Sequence, residues 1–310
     1  MLRHFRYALI LLALLGAGQA WAHEALDHDQ AGFILRVNGL DVGYNVFPVF
    51  ALPGEKVSVT AADVANAFTL QASGGTWQTT GVGQWSWTAP LKPGHYPLDI
   101  RRTDGADMRL EAFVMVPAQE VRHGVLKGYR IGHYPAHPLN GLAIYREPTG
   151  FVEVTPELAA VHVTPHFTLG EFLCKQTGDF PKYLVLRPLL LLKLETLMAH
   201  LESQGISADA VHVMSGYRTP WYNARLGNVP YSRHMWGDAA DIYIEASAVA
   251  GADGRSSGHY LDSTAVAADL QKLLQQSAFA SLIGGLGVYP ETGNHPPFVH
   301  VDARGFSANW

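Results

Sequence analysis

The sequence predicts an α+β protein in two parts. An all-β, immunoglobulin-like sandwich is expected over residues 30–118 and an antiparallel-sheet domain with packed helices over 166–310, joined by a connector over 119–165. Two observations lead there. From about Ala31 to Pro117, short β-type runs such as "FILRV", "KVSVTA", "QWSWTAP" and "LEAFVMV" alternate with turn signals such as "PGEK" and "KPGH", with no helical period between them. After Thr164, apolar residues recur at helical spacing in "RPLLLLKLETLMAHLESQG" and at strand spacing in "AADIYI" and "FVHVDA". Short strands interleaved with helices through tight loops suit an antiparallel α+β sheet better than a doubly wound one.

In chain order, residues 1–22 read as a secretory signal peptide. Arg3 and Arg6 precede the short apolar run "ALILLALLGAG", and "AWA" offers small residues for cleavage. The mature chain is therefore expected in the periplasm or secreted. No later stretch approaches the roughly 18 uncharged apolar residues of a spanning helix, so no transmembrane segment is expected. Loss of Arg3 and Arg6 moves the formal charge from -5 to about -7. With no run of lysine or arginine, a nucleic-acid partner is excluded. Cys174 is the only cysteine, so no internal disulfide forms; its apolar surroundings in "FLCKQ" suit a small buried hydrophobe.

The sandwich holds no cluster of catalytic residue types and reads as a targeting or spacer module. The connector, rich in Gly, Pro and Tyr in "GYRIGHYPAHPLNGLAIYREPTGF", shows neither period and is expected to be a structured segment with a hairpin. Beyond it, Pro188 opens and Gly205 closes a helix with Leu190, Leu194, Leu197 and Leu201 on one face. A strand "VHVM", a short helix from Thr219 and Pro220, a helix over about 264–276 and the strands "GLGVY" and "FVHVDA" complete the order.

The chemistry concentrates in "SRHMWGDAAD", residues 232–241. On a strand "AADIYI", Ala239, Asp241 and Tyr243 share one face and Ala240, Ile242 and Ile244 the other. His234 then lies on the preceding loop, and Gly237 lets the chain turn so that the imidazole folds back beside Asp241. The third group comes from "FVHVDAR", where Phe298, His300, Asp302 and Arg304 share a face. Two imidazoles and a carboxylate make the open ligand set of catalytic Zn2+, with a fourth position for water. Asp302 is placed to accept a hydrogen bond from a ligand imidazole and fix its tautomer. Taken singly, each residue has a structural explanation. At average usage, however, Ser232, His234, Gly237, Ala239 and Asp241 together recur by accident in about one such chain in ten thousand, so the combination carries weight.

"SGYR", then Ser-x-His-x-x-Gly-x-Ala-x-Asp, then "GGLGVYP" and "FVHVDAR" resemble the peptidase M15 family of zinc D-Ala-D-Ala carboxypeptidases and peptidoglycan endopeptidases. The similarity runs roughly from Phe167 to Arg304. It implies zinc held by His234, Asp241 and His300, and a substrate-contacting arginine at Arg218, with Tyr217 and Ser232 beside the substrate. It also implies peptidoglycan stem peptides as substrates, hydrolysed by metal-activated water. A planar guanidinium at Arg218 could clamp a peptide's terminal carboxylate through two parallel hydrogen bonds. One position departs from the family. Where many members carry a His or Glu three residues before the final zinc histidine, this chain has Pro297, which cannot transfer a proton. His295 is the expected general base in its place, with Glu291 or another group as alternatives. A non-catalytic zinc module binding cell wall or protein is the alternative function.

Overall fold

The computed structural model describes residues 30–245, 256–257 and 260–309; the expected signal peptide at 1–22 lies outside them. Residues 30 to 114 form two sheets. The first runs, in spatial order, Leu40–Tyr44, Gln30–Val37, Lys56–Ala61, Gln84–Thr88 and Thr76–Gly81; the second runs Val46–Ala51, Asp107–Val114, Leu98–Arg102 and Phe68–Ala72. Alternation in the sequence explains their cores. In Gln30–Val37 the side chains of Ala31, Phe33, Leu35 and Val37 are buried and those between them are exposed, because successive residues of a strand face opposite sides. Phe47, Val57, Trp87, Leu98 and Leu110 join the same core. One pairing is parallel, Val46–Ala51 with Asp107–Val114.

The connector is ordered through partners far away in the chain. Val125–Leu126 and Tyr129–Arg130 form the expected hairpin. Gly150–Val154 pairs with Val116–Pro117 on one side and Lys182–Leu184 on the other. The connector thus supplies the central strand of a small sheet whose other strands come from the segments before and after it.

The C-terminal region is built on a five-stranded sheet in the order Val211–Ser215, Ala239–Ile244, Phe298–Asp302, Gly285–Tyr289 and Ala308–Asn309. The first four strands are antiparallel and the last pairs in parallel. The helix Pro188–Ser203 buries Leu190, Leu194, Leu197 and Leu201, each contributing about 1.5–3 kcal/mol of burial. It also buries two charged residues, Lys193 and Glu195. Lys193 Nζ donates to the Asp302 carbonyl at 2.7 Å, and burial lowers its pKa to about 8. Glu195 accepts from the His166 backbone N–H at 3.1 Å and meets its ring at 2.7 Å. The helix therefore braces the end of the Phe298–Asp302 strand. A second helix, Ser263–Leu274, is capped by Asp262, whose carboxylate accepts from the Thr264 N–H at 2.9 Å. Among the described residues no helix is long and apolar enough to cross a membrane.

Candidate metal centre

His234 sits on the short turn Arg233–Trp236, which ends at Gly237 with φ +69°. A Cβ at Gly237 would collide with the Val185 carbonyl, so the left-handed conformation and the close approach both require glycine. Beyond it the chain enters Ala239–Ile244. This strand lies between two neighbours and is buried on both faces except at Tyr243, so the simple alternation of an open and a core face does not hold there. The antiparallel register sets Asp241 directly opposite His300.

These placements bring three ligand atoms together. His234 Nε2 lies 3.1 Å from Asp241 Oδ1 and 3.1 Å from His300 Nδ1, and His300 Nδ1 lies 2.9 Å from Asp241 Oδ1. Metal–ligand bonds near 2.1 Å at tetrahedral angles imply ligand separations of about 3.4 Å, so an expansion of a few tenths of an ångström would seat zinc. The outer nitrogens explain why the inner ones point at each other. His234 Nδ1 donates to the Gly216 carbonyl at 2.6 Å, and a carbonyl can only accept. His300 Nε2 donates to Asp302 Oδ2 at 3.3 Å. With protons on the outer nitrogens, two lone pairs and a carboxylate oxygen converge on one point. That is the donor set of a divalent cation, and it fits zinc.

The surrounding shell is saturated. Asp302 is fully buried and also accepts from the Gly285 N–H at 2.8 Å and from Arg304 Nε at 2.9 Å. Gly216 can present its carbonyl to His234 because it has no side chain: a Cβ there would stand 2.6 Å from the Phe172 Cα.

Burial pushes the His234 pKa down, against the attraction of Asp241. For His300 burial also acts downward, but hydrogen bonds to Asp241 and Asp302 outweigh it and raise the pKa above its usual value. Burial would raise Asp241, yet the two imidazoles hold it well below the usual carboxylate range. A proton on His300 Nδ1 thus competes with a metal for the same position. Zinc affinity is expected to fall about tenfold per pH unit once pH drops through the raised His300 value, with a proton released on binding. Zinc titrations across pH in buffers of differing ionisation enthalpy measure both; an affinity flat between pH 8 and 5.5 would contradict this assignment.

Residues 165–253 match the family model of Peptidase M15. This segment is a peptidase M15 family domain. No curated protein matches the chain. A solved structure described as a "nucleoside hydrolase-related hypothetical protein from Saccharophagus degradans that is associated with carbohydrate metabolism" matches at 16% identity and a TM-score of 0.18, over 25% of this chain and 24% of that one. The match spans about a quarter of that structure's length and carries no inference.

The matched segment holds His234 and Asp241, while His300 lies beyond it; around the cluster the other expected residues are placed unequally. Arg218 Nε donates to Ser215 Oγ at 2.9 Å, and its Nη2 pairs with Asp241 Oδ2, so the guanidinium reaches the cluster itself. Ser232 is half-buried and opens the His234 turn, its carbonyl accepting from the Met235 N–H at 3.0 Å. Tyr217 is almost wholly buried. Its hydroxyl lies 3.1 Å from that of Tyr134, which donates to the Met235 carbonyl at 2.8 Å. Tyr217 therefore packs inside the fold, whereas Arg218 reaches the cluster. His295 is half-buried, edge-on to Phe298, with Nδ1 donating to the Pro296 carbonyl at 2.8 Å. The cluster forms without it, and Pro297 is buried between the two histidines in sequence.

Residues of the connector also hold the M15 loop. Arg233 donates to the Ile144 carbonyl at 3.2 Å and lies over the Tyr145 ring at 4.4 Å. Trp236 Nε1 donates to the Arg146 carbonyl at 2.9 Å. Sequence reasoning missed these contacts; the run of Tyr134, Tyr145, Tyr231 and Trp236 was their only signal.

Proposed function

We propose that the chain is an exported zinc metallopeptidase that hydrolyses peptide bonds next to D-amino acids in peptidoglycan stem peptides, as a D,D-carboxypeptidase or an endopeptidase. One observation carries the reading: the ligand atoms of buried His234, Asp241 and His300 lie within 4.8 Å of one another. Zinc held there would lower the pKa of its water towards about 7 and polarise the scissile carbonyl. Asp302 keeps His300 in the ligating tautomer. Arg218 holds the substrate: with Nε and Nη2 engaged, its remaining N–H donors meet a terminal carboxylate. His295, whose Nδ1 is committed to Pro296, keeps Nε2 for a proton and is the general base; Ser232 lines the substrate's path. The N-terminal sheets are read as an immunoglobulin-like targeting or spacer module.

Mass spectrometry of sacculi incubated with zinc-loaded and chelator-treated protein tests this. Release of D-alanine or of shortened cross-links only with zinc supports it. No release in either condition favours the second reading, a non-catalytic zinc module that binds wall or protein, to which Pro297 is the pointer. Arg218→Ala separates the two enzyme types. Loss of a charged hydrogen bond costs about 1.5–3 kcal/mol, so terminal D-alanine release should fall roughly ten- to a hundredfold, and cleavage between stems, which needs no free carboxylate, should fall much less.

A further inference from the structure

Away from the cluster, a polar cleft of about 470 Å3 opens between the connector hairpin, the loop around residues 176–181 and the helix Pro220–Arg225. Its walls are firmly held. Trp221 N–H donates to the Ile131 carbonyl at 3.0 Å; Gln176 Nε2 donates to the Arg130 carbonyl at 3.1 Å and its Oε1 accepts from Thr219 Oγ1 at 3.2 Å. Trp221 lies three residues after Arg218, so its Cα stands no more than about 11 Å from that of Arg218. An extended peptide of three or four residues covers that span at about 3.3 Å per residue.

The charges in the cleft are incomplete. Arg130 is exposed and lies over the Trp221 ring at 4.9 Å, and among the described residues no carboxylate pairs with it. Lys127 is neutralised by Glu153 at 2.9 Å. Asp179 lines the same cleft, exposed and likewise without a cation at ion-pair distance among the described residues. Phe180 and Trp221 supply apolar sides. One guanidinium and one carboxylate, held apart in a single cleft, complement a ligand that carries a carboxylate and an ammonium together.

We propose that this cleft binds the ammonium–carboxylate end of a diamino-dicarboxylic residue in the substrate peptide, away from the bond to be cut. Arg130 receives the carboxylate in a planar fork and Asp179 receives the ammonium. The identity of the ligand as a peptide rests on the peptidase reading; the recognition itself needs no turnover.

Calorimetry with chelator-treated protein isolates the binding step, using two synthetic stem tetrapeptides that carry meso-diaminopimelate or lysine at the third position. The diaminopimelate peptide should bind about tenfold tighter, because lysine lacks the second carboxylate. Arg130→Gln should erase that difference, and Arg130→Lys, which keeps the charge and loses the fork, should restore part of it. Asp179→Asn should weaken both peptides alike. An unchanged preference in Arg130→Gln overturns the proposal, as does inorganic phosphate competing as well as the peptide, which would make the cleft a general anion site. If the preference is found but zinc-loaded protein cuts neither peptide, the peptidase reading fails and the cleft assignment stands. If both are cut with equal KM and bind equally, only the cleft assignment fails.

Discussion

A His300→Ala chain purified after zinc loading should carry almost no metal, where the wild type should carry one ion, and should lose at least about a thousandfold in hydrolysis. Three ligand atoms define the centre, and removal of one leaves two, too few for a tight site. The several kcal/mol of transition-state stabilisation that a bound metal supplies corresponds to roughly that factor. The effect should be graded by position. Asp302→Asn leaves all three ligands but weakens the grip on His300 Nε2, and such outer partners are worth about 10–100-fold in metal affinity or activity. Elemental analysis with parallel kinetics measures both. Full zinc occupancy in His300→Ala would mean that the metal lies elsewhere.

Asp238→Ala should cost about 3–5 kcal/mol of stability, read as a shifted midpoint in urea denaturation and a drop of about 10 °C in melting temperature. Arg233 is almost wholly buried, and Asp238 receives its Nε at 3.0 Å and its Nη2 as well. Without Asp238 a guanidinium stays buried with only the Ile144 carbonyl and two aromatic rings around it. A buried ion pair is weak evidence of net stabilisation, but a buried single charge is strongly destabilising. The double change Arg233→Met with Asp238→Leu should therefore recover much of the loss. A cost below about 1 kcal/mol for Asp238→Ala would show that Arg233 finds water or another partner.

Zinc loading and the Asp238 variant probe different layers. Asp238 lies in sequence between His234 on its turn and Asp241 on the following strand, and Arg233 ties that turn to the connector. Loss of the pair should loosen His234 as well as the fold, so Asp238→Ala should bind zinc more weakly than the wild type even at temperatures where it remains folded.

The parts of the fold that depend on local spacing can be read along the chain. The helix over Pro188–Ser203 follows from leucines at helical intervals and the strands Ala239–Ile244 and Phe298–Asp302 from runs of β-type residues. The convergence of His234, Asp241 and His300 was legible because an antiparallel pair sets Asp241 opposite His300 and Gly237 permits one turn back. The remainder rests on contacts between segments far apart in the chain. The burial of Tyr217 involves Tyr134, 83 residues away. The connector showed no period because its strands are short and find partners in distant segments, and the Arg233–Ile144 contact spans 89 residues. Lys193 falls on the leucine stripe of its helix, but the acceptor that lets its ammonium be buried there, the Asp302 carbonyl, lies 109 residues on. Spacing along a chain encodes which side of an element a residue takes; it does not encode which other element will cover that side.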